Sequence, residues 1–150
     1  MPIIVNNVEI TDDDVHAEMQ YHPAESADKA RHKAAQALVI RQLLLQAAKA
    51  KNMLEDVEQI DNVLAEETID TLIQQEVIVP QADAESCKRY YEQNKERFID
   101  KSTDKVLPFD SVNSHIRDYL HARSLQTGIN QYITLLAGSA NIAGFDLEDM

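Results

Sequence analysis

The sequence is poor in the residues that mark several common protein classes. Its 150 residues include one cysteine, no tryptophan, three glycines and four prolines. The single cysteine, Cys87, excludes an internal disulfide framework and a cysteine-rich zinc site. The glycines lie too far apart to form a glycine-rich phosphate-binding loop. So few glycines and prolines favour helices over turns and sheets.

Basic residues are also scarce, with 14 Lys and Arg against 26 Asp and Glu, which gives a net charge of −12. Phosphate binding needs clustered Lys and Arg, so we expect no nucleic-acid partner and no anionic membrane surface. No apolar run approaches the ~18 residues of a membrane span. Residues 1–6 lack the basic start of a secretory signal. We therefore expect a cytoplasmic protein, or a periplasmic one if a leader has been removed.

The sequence does contain a series of helical patterns that begin at capping residues. Thr11, Ser26 and Asp83 each precede apolar residues at helical spacing, and such residues favour the N-cap position. The patterns predict five helices, over residues 12–20, 27–51, 60–77, 84–97 and 109–140. Gly128 lies inside the last of these and indicates a kink or a close contact there.

The two ends of the chain carry short extended patterns. Residues 2–10 contain two β-branched runs around Asn6-Asn7, a pair that favours a turn, and residues 141–148 provide the natural partner segment. The predicted fold is mainly α: about five helices in an open bundle, with a small two-stranded antiparallel ribbon formed by the N- and C-terminal segments. We expect a single domain over residues 1–150, with an exposed polar linker at residues 99–108.

No pattern in the sequence predicts an active site. The five histidines are not spaced as metal ligands on one helix face. Cys87 has no adjacent base and is expected to be a buried structural residue. Asp12, Asp13 and Asp14 match the positive end of a helix dipole better than they match a cation site. We therefore predict no catalytic residue, no cofactor and no metal site.

Five stretches nevertheless resemble one family in their order along the chain. Val5 to Thr11 resembles the opening strand and cap "V-N-G-x-x-I-T", with Asn7 where the family often has Gly. Residues 80–98 resemble the segment "E-x-x-x-x-Y-Y-x-x-N-x-x-x-F". Residues 34–48, 109–120 and 140–145 resemble the long helix, the following helix and the closing strand. The family is the helical chaperone part of the parvulin-type peptidyl-prolyl isomerases (rotamases), which include SurA-like periplasmic chaperones and the nitrogenase maturation protein NifM.

One part of that family pattern is missing. Only ten residues separate Phe98 from Phe109, where the family places a parvulin domain of roughly a hundred residues, a typical domain size. That domain carries the residues of the proline site, so no residue of this chain inherits an isomerase role. The linker over residues 99–108 marks the place where the domain would be inserted.

The resemblance implies a non-catalytic, chaperone-like domain that binds unfolded or assembling polypeptide. Because a client loses entropy when it is ordered, we expect affinity around micromolar. The candidate polypeptide-binding residues are aromatic side chains near the place where the isomerase domain would attach, although each also fits core packing. They are Tyr90, Tyr91, Phe98, Phe109 and Tyr119.

Two further hypotheses come from other functional classes. The chain is also suited to be a dimerisation or scaffold module, or a dedicated maturation factor for one partner in the manner of NifM. Its long Ala-rich helix and pairing ends would suit a homodimer formed by strand or helix exchange. An enzyme with an unrecognised site would require clustered titratable residues, and no spacing in the sequence brings such residues together.

Overall fold

The computed structural model describes residues 2–54 and 61–147. Within these residues the chain forms five α-helices and five short β-strands. In chain order they are β1 (Ile3–Val5), β2 (Val8–Ile10), α1 (Asp12–Glu18), α2 (Ala27–Ala50), α3 (Asn62–Glu76), α4 (Ala84–Gln93), β3 (Ile99–Asp100), β4 (Lys105–Val106), α5 (Phe109–Ser139) and β5 (Ile142–Ala143). The predicted fold class, mainly α with a small antiparallel sheet from the chain ends, is confirmed.

Local capping chemistry explains where the helices begin. The Thr11 hydroxyl accepts the Asp14 N–H at 3.0 Å, and the Asp14 carboxylate accepts the Thr11 N–H at 3.0 Å, which completes a capping box. The Ser26 hydroxyl accepts the Lys29 N–H at 3.2 Å, and the Asp83 carboxylate accepts an N–H in the same way. All three predicted N-caps are confirmed.

One helix end, that of α4, differs clearly from the prediction, and the other four lie within two residues of it. The predicted fourth helix continues to residue 97, but α4 ends at Gln93 because Asn94 has a non-helical backbone, with φ of −134°. The Asn94 Nδ2 donates to the Tyr90 carbonyl oxygen at 2.8 Å, and Lys95–Phe98 continue as a 3-10 turn. The predicted start of the third helix, at residue 60, lies outside the described residues.

The terminal sheet contains one more strand than the predicted ribbon. β1 pairs with β5, as predicted, with Ile4 opposite Ala143. It also pairs with β2 on its other side, so the strand order is β2-β1-β5. Asn6 and Asn7 have φ angles of 49° and 74°, the left-handed conformation that a tight hairpin turn requires. The Asn6-Asn7 turn therefore adds the third strand.

The chain divides into two compact units. The first unit comprises Met1–Glu76 and Asn130–Met150, and the second unit comprises Val77–Ile129. Each has its own buried cluster. In the first unit the terminal sheet packs with α1, α2 and the end of α5. In the second unit α4 and α5 pack around the fully buried Cys87, as expected for a structural cysteine.

Charge is divided unequally between these units. The second unit contains eight acidic and eight basic residues, so it has no net charge. The remaining eighteen acidic and six basic residues belong to the first unit, which therefore carries the whole net charge of −12. The acidity of the chain is a property of one unit.

The close contact expected at Gly128 is present within the second unit. A Cβ atom at this position would lie 2.8 Å from Val77 Cγ1 and 3.2 Å from Val79 Cγ1. Val77 and Val79 follow α3 and pack directly against the backbone of α5 at the glycine. Gly128 thus provides space for the segment that enters the second unit.

Residues 99–108, predicted as an exposed polar linker, contain a β-hairpin. β3 and β4 pair with Ile99 opposite Val106. The Asp100 carboxylate accepts the Ser102 N–H at 2.9 Å and its hydroxyl at 2.7 Å, and Asp104 takes a left-handed φ of 59°. The segment is mostly exposed, as expected, but these turn contacts give it regular structure. No helix in the described residues is long and apolar enough to cross a membrane.

Candidate functional site

All five candidate polypeptide-binding residues lie in the second unit and form one aromatic cluster. Tyr91 contacts Phe98 and Phe109, with ring centroids 5.6 and 5.4 Å apart. Tyr90 contacts Phe98 at 6.2 Å and Tyr119 at 5.4 Å. The five rings therefore form a continuous chain of contacts, which we call the aromatic cluster.

Helix geometry explains how two consecutive tyrosines share this cluster. Neighbouring residues on a helix point about 100° apart, so Tyr90 and Tyr91 of α4 leave the helix in different directions. Tyr91 points into the core, where its hydroxyl donates to the Leu107 carbonyl oxygen at 2.6 Å. Tyr90 lies to one side of it and reaches Tyr119 on α5. The cluster thus joins the two helices of the second unit.

Burial separates the five residues into a core and an outer edge. Tyr91 and Phe98 are each only 8% exposed. Tyr90 and Phe109 are half-buried, and Tyr119 is 42% exposed. A partner that leaves the fold intact can contact Tyr119 and the outer edges of Tyr90 and Phe109, whereas contact with Tyr91 or Phe98 would require the unit to rearrange.

Two cations lie against the cluster. Arg97 donates to the Tyr90 hydroxyl at 3.2 Å, and the neighbouring Tyr90 oxygen raises the pKa of the Arg97 guanidinium above its ordinary value. Lys95 Nζ lies 5.9 Å from the centroid of the Tyr91 ring, within reach of a cation–π interaction. The hydrogen bond from Lys95 to Glu92 raises the pKa of Lys95. Both cations are held beside aromatic rings.

The hairpin contributes apolar surface that the sequence reasoning missed. Ile99 and Val106 are opposite each other on β3 and β4 and are 41% and 42% exposed. The Leu107 N–H donates to the Phe98 carbonyl oxygen at 2.7 Å, so the base of the hairpin is fixed to the aromatic cluster. The available signal is a polar turn flanked by the β-branched residues Ile99 and Val106, a pattern that fits a short hairpin as well as a linker.

The described part of the chain contains no candidate metal centre and no accessible thiol. Residues 2–54 and 61–147 contain no group of three or more His, Cys, Asp or Glu residues placed to hold a metal ion. The Cys87 side chain is fully buried, which shields its thiol from solvent. Comparisons with protein-family models, with curated proteins and with solved structures found no match.

Proposed function

We propose that this protein is a non-catalytic, chaperone-like module that binds unfolded or assembling polypeptide through its second unit. The observation that carries the proposal is the exposed edge of the aromatic cluster at Tyr119, together with the exposed pair Ile99 and Val106 on the attached hairpin. The resemblance of the chain to the helical chaperone part of the parvulin-type isomerases supports the same function.

The proposed mechanism is burial of apolar client side chains against this surface. Each Å² of apolar surface removed from water contributes about 25 cal/mol, but ordering an unfolded client offsets much of that gain. Binding is therefore weak and reversible, around micromolar. The second unit has no net charge overall, and the two cations beside the cluster, Lys95 and Arg97, can pair with acidic groups of a client. The negative charge of the first unit keeps the complex soluble.

The proposal is tested by the thermal aggregation of two unrelated client proteins, followed by light scattering. The chain in molar excess should suppress the aggregation of both clients. A variant with Tyr119→Ala, Ile99→Ser and Val106→Ser should need about three- to tenfold more protein for the same suppression, because aromatic and apolar anchors carry most of the energy of an interface. Circular dichroism checks that the variant is folded.

The matched control is Tyr21→Ala. Tyr21 is 69% exposed and lies in the first unit, so its loss removes a comparable ring from another surface and should leave suppression unchanged. If the native chain suppresses neither client well above micromolar concentration, the proposal is wrong. If the Tyr21→Ala control and the triple variant lose suppression of aggregation equally, the second unit is also rejected as the binding surface. Binding to a single dedicated partner would instead favour a maturation factor.

A further inference from the structure

The first unit contains an open cavity of about 660 Å³. Ile3 of β1, Val15 of α1, Ala35 of α2 and Phe145, which follows β5, supply its apolar lining. All four side chains belong to the cluster of apolar residues around the terminal sheet. The volume is within the range of ligand-binding cavities, about 300–1,000 Å³.

The rim of this cavity carries more negative than positive groups. Asp12 and Asp13 in the first turn of α1 and Asp28 in the first turn of α2 line it. Arg31 also lines it and lies 3.7 Å from Asp28, so it offsets one of the carboxylates. His16 and His32 also line the cavity. With both histidines neutral, the three carboxylates and one guanidinium give the lining a net charge of −2. His32 packs against Phe145 with ring centroids 5.2 Å apart.

We propose that this cavity binds a basic polypeptide segment, one in which a lysine or arginine is adjacent to an apolar side chain. The half-buried Phe145 ring offers the apolar contact for these side chains, because Ile3, Val15 and Ala35 are only 6%, 7% and 5% exposed. The Asp13 carboxylate at the rim pairs with the cation, and the nearby charges of Asp12 and Asp28 add to the negative field. The inference goes beyond the proposed function, because the cavity lies in the first unit and does not involve the aromatic cluster.

Charge complementarity identifies the occupant. The first unit carries the whole net charge of the chain, −12, so its field attracts positively charged segments and accelerates their encounter. The same field repels an acidic peptide or a free phosphate. A bare metal ion does not fit either, since the described residues contain no group of three acidic, His or Cys side chains that could hold one.

The test compares three short peptides of equal length by calorimetry at low ionic strength. The first alternates Lys or Arg with Leu or Phe. In the second, Glu replaces the basic residues, and in the third, Ser replaces the apolar ones. Only the first peptide should bind measurably, and amide shifts in nitrogen-15 NMR spectra should change around Ile3, Val15 and Ala35. Equal binding of the first and third peptides would show that the apolar lining plays no part and would overturn the proposal.

A pair of charge variants distinguishes the rim from the overall field. Asp13→Asn with Asp28→Asn should weaken binding of the first peptide about fivefold, because it removes the pairing carboxylate and one further negative charge from the rim. Glu66→Gln with Asp70→Asn changes the charge of the first unit equally on α3, outside the cavity lining, and should weaken it less than the rim variant does. Equal effects would overturn the proposal. Changes in amide NMR shifts that are confined to residues 77–129 would also overturn it. That outcome would leave the proposed function of the second unit intact.

Discussion

Gly128 lies in the interior of α5, where alanine is ordinarily the better helix former by about 1 kcal/mol. Packing reverses that preference here, because the added Cβ would lie 2.8 Å from the stiff Val77 side chain. Overpacking costs about 1–3 kcal/mol. We therefore expect Gly128→Ala to lower the free energy of unfolding by about 1 kcal/mol net, measured by urea denaturation.

The matched control for this substitution is in the same helix. Gly138 has nothing within 4 Å of the position of an added Cβ, so Gly138→Ala should stabilise the chain by up to about 1 kcal/mol. Gly128→Ala should cost less in a Val77→Ala background than in the native chain, because the opposing methyl groups are then absent. If Gly128→Ala stabilises the protein as much as Gly138→Ala does, the packing explanation is wrong.

Aromatic residues illustrate what the sequence could and could not predict at the scale of the residue. The placement of Tyr90, Tyr91, Phe98, Phe109 and Tyr119 near residues 99–108 was predictable from the family resemblance. Their exposure was not predictable, because helix periodicity allows either of the consecutive residues Tyr90 and Tyr91 to face the core. Packing of α4 against α5 and the bond from Tyr91 to the Leu107 carbonyl decide which ring is buried.

At the scale of the element, the hairpin of β1 and β2 depends on the side chain of Asn6. Its Oδ1 accepts the Asn141 N–H at 2.8 Å and its Nδ2 donates to Gln46 Oε1 at 3.0 Å. Asn6→Ala removes both bonds and places alanine at a φ of 49°. We expect the free energy of unfolding, measured by urea denaturation, to fall by about 2 kcal/mol. The causes are left-handed backbone strain and the lost hydrogen bonds.

Asn7→Gly provides the contrast for this turn. Asn7 also has a positive φ, 74°, which glycine adopts without strain, so stability should be unchanged or slightly higher. A loss in Asn7→Gly equal to that in Asn6→Ala would contradict this account, because glycine preserves the left-handed turn and the substitution leaves both Asn6 hydrogen bonds in place.

Element boundaries were predictable wherever a single local interaction sets them. The N-caps at Thr11, Ser26 and Asp83 each involve a bond to a residue three positions ahead, so the sequence alone contains the signal. The end of α4 was not predictable in this way, because it depends on the conformation of Asn94. The hairpin was missed because its turn is polar and its strands are only two residues long.

At the scale of the whole molecule, the concentration of negative charge in the first unit lowers the stability of the folded state. Like charges repel one another in the compact state, and salt screens that repulsion over a Debye length of about 10 Å at 0.1 M. We therefore expect the melting temperature to rise as NaCl is added from low ionic strength, measured by circular dichroism.

A variant with fewer charges on α3 provides the control for screening. Glu66, Glu67 and Asp70 are exposed on this helix, and replacing them with Gln, Gln and Asn removes three negative charges from the first unit. The increase in melting temperature with salt should become smaller in this variant. A melting temperature that falls with salt, or an identical slope in the two proteins, would contradict the role assigned to charge repulsion.

The pairing of β1 with β5 also has a consequence for synthesis on the ribosome. Ile4 lies opposite Ala143, so one edge of β1 has no neighbour until nearly the whole described chain has been translated. The second unit is contiguous in sequence and is complete before β5 emerges. An unpaired strand edge is a template for association with other chains. During synthesis β2 can therefore pair with one edge of β1 early, whereas the other edge stays unpaired until β5 has been made. The terminal sheet is the last part of the fold to be completed.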